Sequence, residues 1–219
     1  MVLTSSFAAI LDSRIAATGA QKVYTEADWS PLTIRDVDDN AVKAYVVSKV
    51  AAERAAWDFV SKHKPGFSLT VLNPPMIYGP VRYKVDSLDS ANTSNQTLAE
   101  VLLGKHKAGL PPTALPLWVD VRDVAWAHVK AMEMQGAANQ RFLITAGHHS
   151  NAEMGSIIYD NFPELREKLP DRENMGGAPN PNLQSFGYDT TKAATILGLK
   201  WTPYEETVID SVKSLLYYR

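Results

Sequence analysis

Two rhythms of apolar spacing take turns along this chain. Met1-Val2-Leu3 followed by Thr4-Ser5-Ser6 reads as a buried strand over residues 1–6, with small hydroxyls at its carboxyl end. A polar, irregular stretch follows, carrying Trp29-Ser30-Pro31 and the acidic run Asp36-Val37-Asp38-Asp39-Asn40. From Ala41 to Lys62, Val47, Val50, Ala51, Trp57 and Val60 recur at helical spacing and predict a helix. Phe67 to Leu72 alternates with a period of two and predicts a strand, which Asn73-Pro74-Pro75 stops.

The second half continues the alternation. A helix is expected over Ser94–Leu103, then a Pro-rich loop leading into "LPLWVDV", with Asp123 as the cap of "VAWAHVKAMEM". "RFLIT" predicts a short strand, and Ser150-Asn151-Ala152-Glu153 is a capping box ahead of "MGSIIYDNF". Asp171 to Pro181 is rich in Gly, Pro and Asn and predicts a loop. Asp189 to Leu197 predicts a helix ended by Gly198, and a last helix runs from Tyr204 to the end. Alternating strands and helices imply a parallel sheet covered by helices.

Composition narrows the class without naming it. The 219 residues are 45% hydrophobic with net charge −2, which fits one sizeable globular core. That balance argues against nucleic acid as a main partner. The absence of cysteine excludes disulfides, thiolate metal sites and a cysteine nucleophile, and no metal is expected. Asp12 and Arg14 interrupt the apolar start too early for a signal peptide, and no run reaches a membrane span, so a cytoplasmic location is expected.

Candidate chemistry enters with "AYVVSK". Tyr45 and Lys49 are four residues apart in a predicted helix and share a face. Such a pair alone is weak, because helices often carry Tyr and Lys at this spacing on a solvated face. Its neighbours strengthen it. Ser6 closes the preceding predicted strand, and "LNPPMIYGP" closes the following one. In a parallel sheet these carboxyl ends converge on one edge, where ligands bind.

"VLTSSFAA", "AYVVSKVAAERAAWDF", "LNPPMIYGP", "WVDVRDVAWAHVKAM" and "YDTTKAATILGLKWTPYEETVIDSVKSL" together resemble the extended short-chain dehydrogenase/reductases, the NAD-dependent epimerase/dehydratase family. The branch they resemble holds dihydroflavonol, cinnamoyl-CoA and fungal methylglyoxal or ketone reductases. The resemblance implies an α/β fold: the C-terminal part of a Rossmann-like doubly wound parallel sheet (residues 1–80) and a small α/β substrate-binding subdomain (81–219). A segment near 115–135 would return to the Rossmann core.

It also implies reduction of an aldehyde or ketone to an alcohol with NADPH or NADH. Tyr45 would donate the proton to the substrate oxygen. A phenol ionises only near pH 10, and a neighbouring ammonium favours its ionised form. Lys49 would supply that ammonium and hydrogen-bond the cofactor ribose. Ser6 would hold the carbonyl. Thr4, Ser5, Pro74, Ile77 and Ser94 would lie near the cofactor, and Phe7 and Met76 would line an apolar substrate pocket, although core packing explains both equally well. Pro74-Pro75 is equally a strand stop.

One family feature is missing. A glycine-rich pyrophosphate loop of the G-x-x-G-x-x-G kind is expected after a first strand, and the 12 glycines here show no such trio. The chain therefore reads as lacking an N-terminal glycine-rich half, with Met1 an internal or mis-assigned start and cofactor binding weakened or lost. One sheet edge would be bare and open to pairing, including homo-oligomer formation. An alternative is thus a non-catalytic remnant working through such pairing. A nucleotide-sugar epimerase or dehydratase is another, although only Arg82 and Lys84 are near enough to meet a diphosphate. His148-His149 reads as a solvated loop, His128 as structural, Asp120 and Asp123 as capping or turn residues, and Glu53-Arg54 as solvent-facing helix surface.

Overall fold

A computed structural model describes residues 1–18, 21–82, 87–179 and 186–217. The chain divides into two compact units. One comprises Met1–Pro75, Asp123–Thr145 and Ser185–Lys200; the other comprises Met76–Arg122, Ala146–Gln184 and Trp201–Arg219. The segment returning to the first unit thus starts at Asp123, and the strand before it groups with the second unit.

In the first unit, β1 (Val2–Thr4), β3 (Thr70–Asn73) and β6 (Arg141–Leu143) form a parallel sheet in the order β1-β3-β6. Val2 pairs with Thr70, and Val71 with Arg141. All four residues of β3 are buried, as expected of the middle strand. In β1, Val2 and Leu3 are half-buried and Thr4 is exposed, and among the described residues no strand lies on its other side. Parallel pairing outlasts the strand: Ser5 N donates to Leu72 O at 2.8 Å and Phe7 N to Pro74 O at 2.9 Å. A second parallel pair joins β2 (Val23–Tyr24) to β8 (Gly187–Tyr188).

Helix α2 (Ala41–His63) is the longest element, and its ends explain its bounds. The Asn40 side chain accepts from Val42 N and Lys43 N, which satisfies two of the amides that every helix start leaves unpaired. Lys64 ends the helix in the left-handed region at φ 46°. The helix packs on the 3-10 turn Phe7–Ala9 through Val47, Val50 and, against expectation, Glu53. Ala51, expected to face inward, is exposed.

In the second unit, β4 (Met76–Tyr78) pairs in parallel with β5 (Leu117–Asp120), and β7 (Gly147–His148) runs antiparallel to β5. Sequence reasoning missed β4, which resumes directly after the Pro-Pro stop. The core joins Leu98 and Leu102 of α3 (Gln96–Leu102), Met154 and Ile158 of α5 (Asn151–Asn161), and Val208 and Val212 of α7 (Tyr204–Tyr217). Ser150 caps α5 by accepting from Glu153 N at 3.0 Å. The expected loop at 171–181 includes a 3-10 turn at Arg172–Asn174; residues 180–181 lie outside the described residues.

Two further expectations are corrected. Helix α4 (Val121–Glu133) starts two residues before Asp123, and its cap is Asp120, which accepts from Arg122 N at 2.7 Å. Asp120 is fully buried and also accepts from Arg122 Nε and Nη2 and from Thr207 Oγ1 at 2.6 Å. Burial opposes its charge, but the Arg122 and Thr207 hydrogen bonds outweigh that and hold the carboxyl below its ordinary range. His149, read as solvated, is buried: Leu115 O accepts from Nε2 at 3.0 Å, so Nδ1 accepts from Tyr204 OH at 3.2 Å. Only its neighbour His148 is exposed.

Candidate active site

The turn that carries Ser6 is built by side-chain alternation and by a cap. Ser5 and Ser6 follow β1 on opposite sides of the chain. The Ser6 Oγ accepts from Ala8 N at 3.1 Å, capping the 3-10 turn Phe7–Ala9. With a lone pair so engaged, the Ser6 O–H is left to donate, which is what polarising a carbonyl oxygen requires. Asn73 Nδ2 donates to the Ser6 carbonyl at 3.2 Å and holds the same turn from β3.

Tyr45 and Lys49 stand one turn apart in α2. The Lys49 Nζ lies 5.5 Å from the centroid of the Tyr45 ring, within cation–π reach. Tyr45 is 51% exposed, so its phenol is open to a ligand. Its backbone carbonyl accepts from Ser48 Oγ at 2.7 Å, a bond that leaves the ring unengaged.

The other expected residues separate. Thr4 is exposed, and its hydroxyl meets His128 Nε2 at 2.6 Å while His128 Nδ1 donates to Val124 O at 2.7 Å. This makes His128 a strut between α4 and β1, the structural role expected of it. Ser5, expected near the cofactor, instead points inward and donates to Glu53 Oε2 at 2.5 Å. Phe7, expected to line a substrate pocket, is wholly buried. It stacks on Phe186 at 6.1 Å and meets Tyr24 edge-on at 5.8 Å, so the core explanation holds for it. Pro74 is buried beside the Ser6 turn.

Met76, Ile77 and Ser94 belong to the second unit. Ile77 N donates to Ser94 Oγ at 3.2 Å, joining two of the expected cofactor residues. A cavity of about 300 Å³ there is lined by Ile77, Gly79, Val81, Arg82 and Asn95. Lys84 lies outside the described residues.

Sequence reasoning missed Glu53. It is 1% exposed and accepts from Ser5, from Asn73 Nδ2 at 2.8 Å and from Arg141 Nε at 2.5 Å. The available signal was its position one turn beyond Lys49, in step with Val47 and Val50, but a charged residue there reads as surface.

The residues present fit the nicotinamide and ribose end of a dinucleotide. Two buried polar atoms without a hydrogen-bond partner, Asn73 Oδ1 and Thr145 Oγ1, lie at and just beyond the carboxyl ends of β3 and β6, the side on which such sheets bind ligands. Nothing among the described residues forms a glycine-rich pyrophosphate turn.

Comparison with known proteins gives the family. The NAD dependent epimerase/dehydratase family matches residues 6–145. Ketoreductase azaE of Aspergillus niger is 38% identical over 99% of this chain, which spans 62% of its length. Gre2 of Candida albicans, solved in complex with NADPH, is 34% identical with a TM-score of 0.80 over the full chain and 64% of its own. Yeast methylglyoxal/isovaleraldehyde reductase Gre2, also solved with NADPH, is 29% identical with a TM-score of 0.83, covering 99% of this chain and 63% of its own. The chain belongs to the NAD dependent epimerase/dehydratase family of extended short-chain dehydrogenase/reductases.

Proposed function

We propose that this chain carries the proton-transfer and carbonyl-binding part of an NADPH-dependent carbonyl reductase, with Ser6, Tyr45 and Lys49 as its catalytic residues. The observation that carries the reading is the Tyr45–Lys49 pair: an exposed phenol with an ammonium 5.5 Å from its ring. The activities for which the relatives are named, ketoreductase and methylglyoxal reductase, support the same class.

Bound NADPH would supply the hydride. Lys49, with Tyr45, would hold the nicotinamide ribose. The chain's own residues do the rest. Ser6 donates its hydroxyl hydrogen to the carbonyl oxygen, stabilising the negative charge that develops there. Tyr45 then delivers its phenolic proton to that oxygen, leaving a phenolate that the Lys49 ammonium stabilises.

Small aldehydes and ketones are the proposed substrates, and weakened dinucleotide binding is expected where no glycine-rich turn contributes. Titration of the 219-residue chain with NADPH, followed by nicotinamide fluorescence, tests this part. Binding as tight in this chain as in a chimera carrying the N-terminal segment of ketoreductase azaE would contradict it.

A further inference from the structure

We propose that Glu53 is a positioning residue for this site: its buried carboxylate fixes the Ser6 turn relative to the helix that bears Tyr45 and Lys49. The inference rests on the carbonyl-reductase reading for its catalytic meaning, while the mechanical coupling is independent of it.

The carboxylate ties α2 to all three strands of the parallel sheet. Its Oε2 accepts from Ser5 Oγ at 2.5 Å, at the end of β1, and from Asn73 Nδ2 at 2.8 Å, at the end of β3. Its Oε1 accepts from Arg141 Nε at 2.5 Å, at the start of β6, and from Trp57 Nε1 at 3.4 Å. The Asn73 amide that binds Glu53 also donates to the Ser6 carbonyl, so one bridging group connects the carboxylate to the residue that would hold the substrate. Arg141 is itself anchored, donating to Asp28 O at 2.7 Å with its guanidinium 3.8 Å from the Trp29 ring centroid.

Burying a charge is costly, and a buried ion pair is weak evidence of stability, since apolar packing of the same volume often does as well. What the pair adds here is geometry. Four donors with fixed directions converge on two oxygens, and these set both the rotation of α2 and the height of the Ser6 turn. Glu53 follows Lys49 by one helical turn and Tyr45 by two, so the anchor and the reactive groups share one stripe of the helix.

Glu53→Gln keeps the size but replaces one acceptor with an NH2 group. Ser5 can turn its hydroxyl round and accept, but Asn73 Nδ2, Arg141 Nε and Trp57 Nε1 can only donate, so at least one contact is lost whichever oxygen is replaced. Because the chain has no cysteine, Ser6→Cys places a single thiol at the turn. The test compares its alkylation rate by iodoacetamide, from pH 6 to 9, in the Glu53, Glu53→Gln and Glu53→Asp backgrounds. Folding is checked by circular dichroism. The expected result is a change of at least about fivefold in Glu53→Gln, partly restored in Glu53→Asp. Ser5→Ala removes one donor from the same carboxylate and carries the test if Glu53→Gln does not fold.

An unchanged rate and pH profile in folded Glu53→Gln, or in folded Ser5→Ala where Glu53→Gln is unfolded, overturns the proposal. The azaE chimera with Ser6 intact supplies the kinetic arm. There Glu53→Gln is expected to lower kcat about tenfold with KM for the carbonyl within about twofold; unchanged kcat overturns the catalytic meaning. Thiol reactivity needs no turnover. A moved thiol rate with Tyr45→Phe still active would therefore leave the coupling standing and sink the Tyr45 proton-donor assignment instead.

Discussion

Lys49 holds its ammonium 5.5 Å from the Tyr45 ring centroid, one turn along the same helix, while the Tyr45 ring stays 51% exposed. A cation so placed favours the phenolate that remains after proton transfer. Lys49→Met is therefore expected to lower kcat/KM for carbonyl reduction by about 10- to 100-fold. Steady-state kinetics of the azaE chimera measure the loss, and a parental kcat/KM in Lys49→Met would remove Lys49 from the catalytic set.

In the second unit, Asp120 gathers Arg122 and Thr207 with no solvent exposure of its own. Asp120→Ala leaves Thr207 Oγ1 and the Arg122 fork without their acceptor, at an expected cost of about 3 kcal/mol in unfolding free energy. Arg122→Lys should cost less, because an ammonium keeps the charge but cannot make the two-pronged contact. Urea unfolding monitored by tryptophan fluorescence decides the order, and an Asp120→Ala midpoint equal to that of the parent would refute the role.

His149 makes stability depend on pH. Burial first of all lowers its pKa from 6.5 to about 4. The unfolded chain then binds more protons than the folded one between about pH 6.5 and 4, so stability falls as pH drops through that window and is at its fullest above it. His149→Asn should lower stability at pH 7.5 yet flatten the dependence between pH 6.5 and 5, seen as a smaller drop in urea midpoint. Equal slopes in parent and variant would contradict the assignment.

Gly79 sits at φ +124°, a conformation in which side chains are strained. A Cβ there would lie 2.7 Å from Val121 Cγ1 and 3.2 Å from Val121 N. Its N–H also donates to Ser211 Oγ at 2.8 Å, so the backbone has little room to move away. Gly79→Ala is expected to cost about 1–3 kcal/mol, and an unchanged thermal midpoint would show that the loop adapts.

Much of the fold was legible because periodicity and punctuation agreed. Val47 and Val50 predicted α2, Ser150 capped α5, and Gly198 closed α6 (Thr191–Leu197) at φ +66°. The failures share a physical cause: polar residues buried by partners distant in sequence. Glu53 is inside because Ser5, Asn73 and Arg141 meet it there, and His149 because Leu115 and Tyr204 do. Neither set is visible in local spacing. At the candidate site, helical spacing brought out Tyr45 and Lys49, whereas alternation alone left the inward choice of Ser5 and the core fate of Phe7 open. Strand β4 escaped notice because three residues after two prolines carry too little periodicity to register.

The proton-donor assignment is tested most directly by Tyr45→Phe. The substitution deletes one hydroxyl from a half-exposed ring, so folding should be untouched. In the chimera with the azaE N-terminal segment, NADPH oxidation with a small aldehyde or ketone is expected to fall about 100-fold or more in kcat, with NADPH affinity retained within a fewfold. Reduction by Tyr45→Phe at the parental rate would contradict the account.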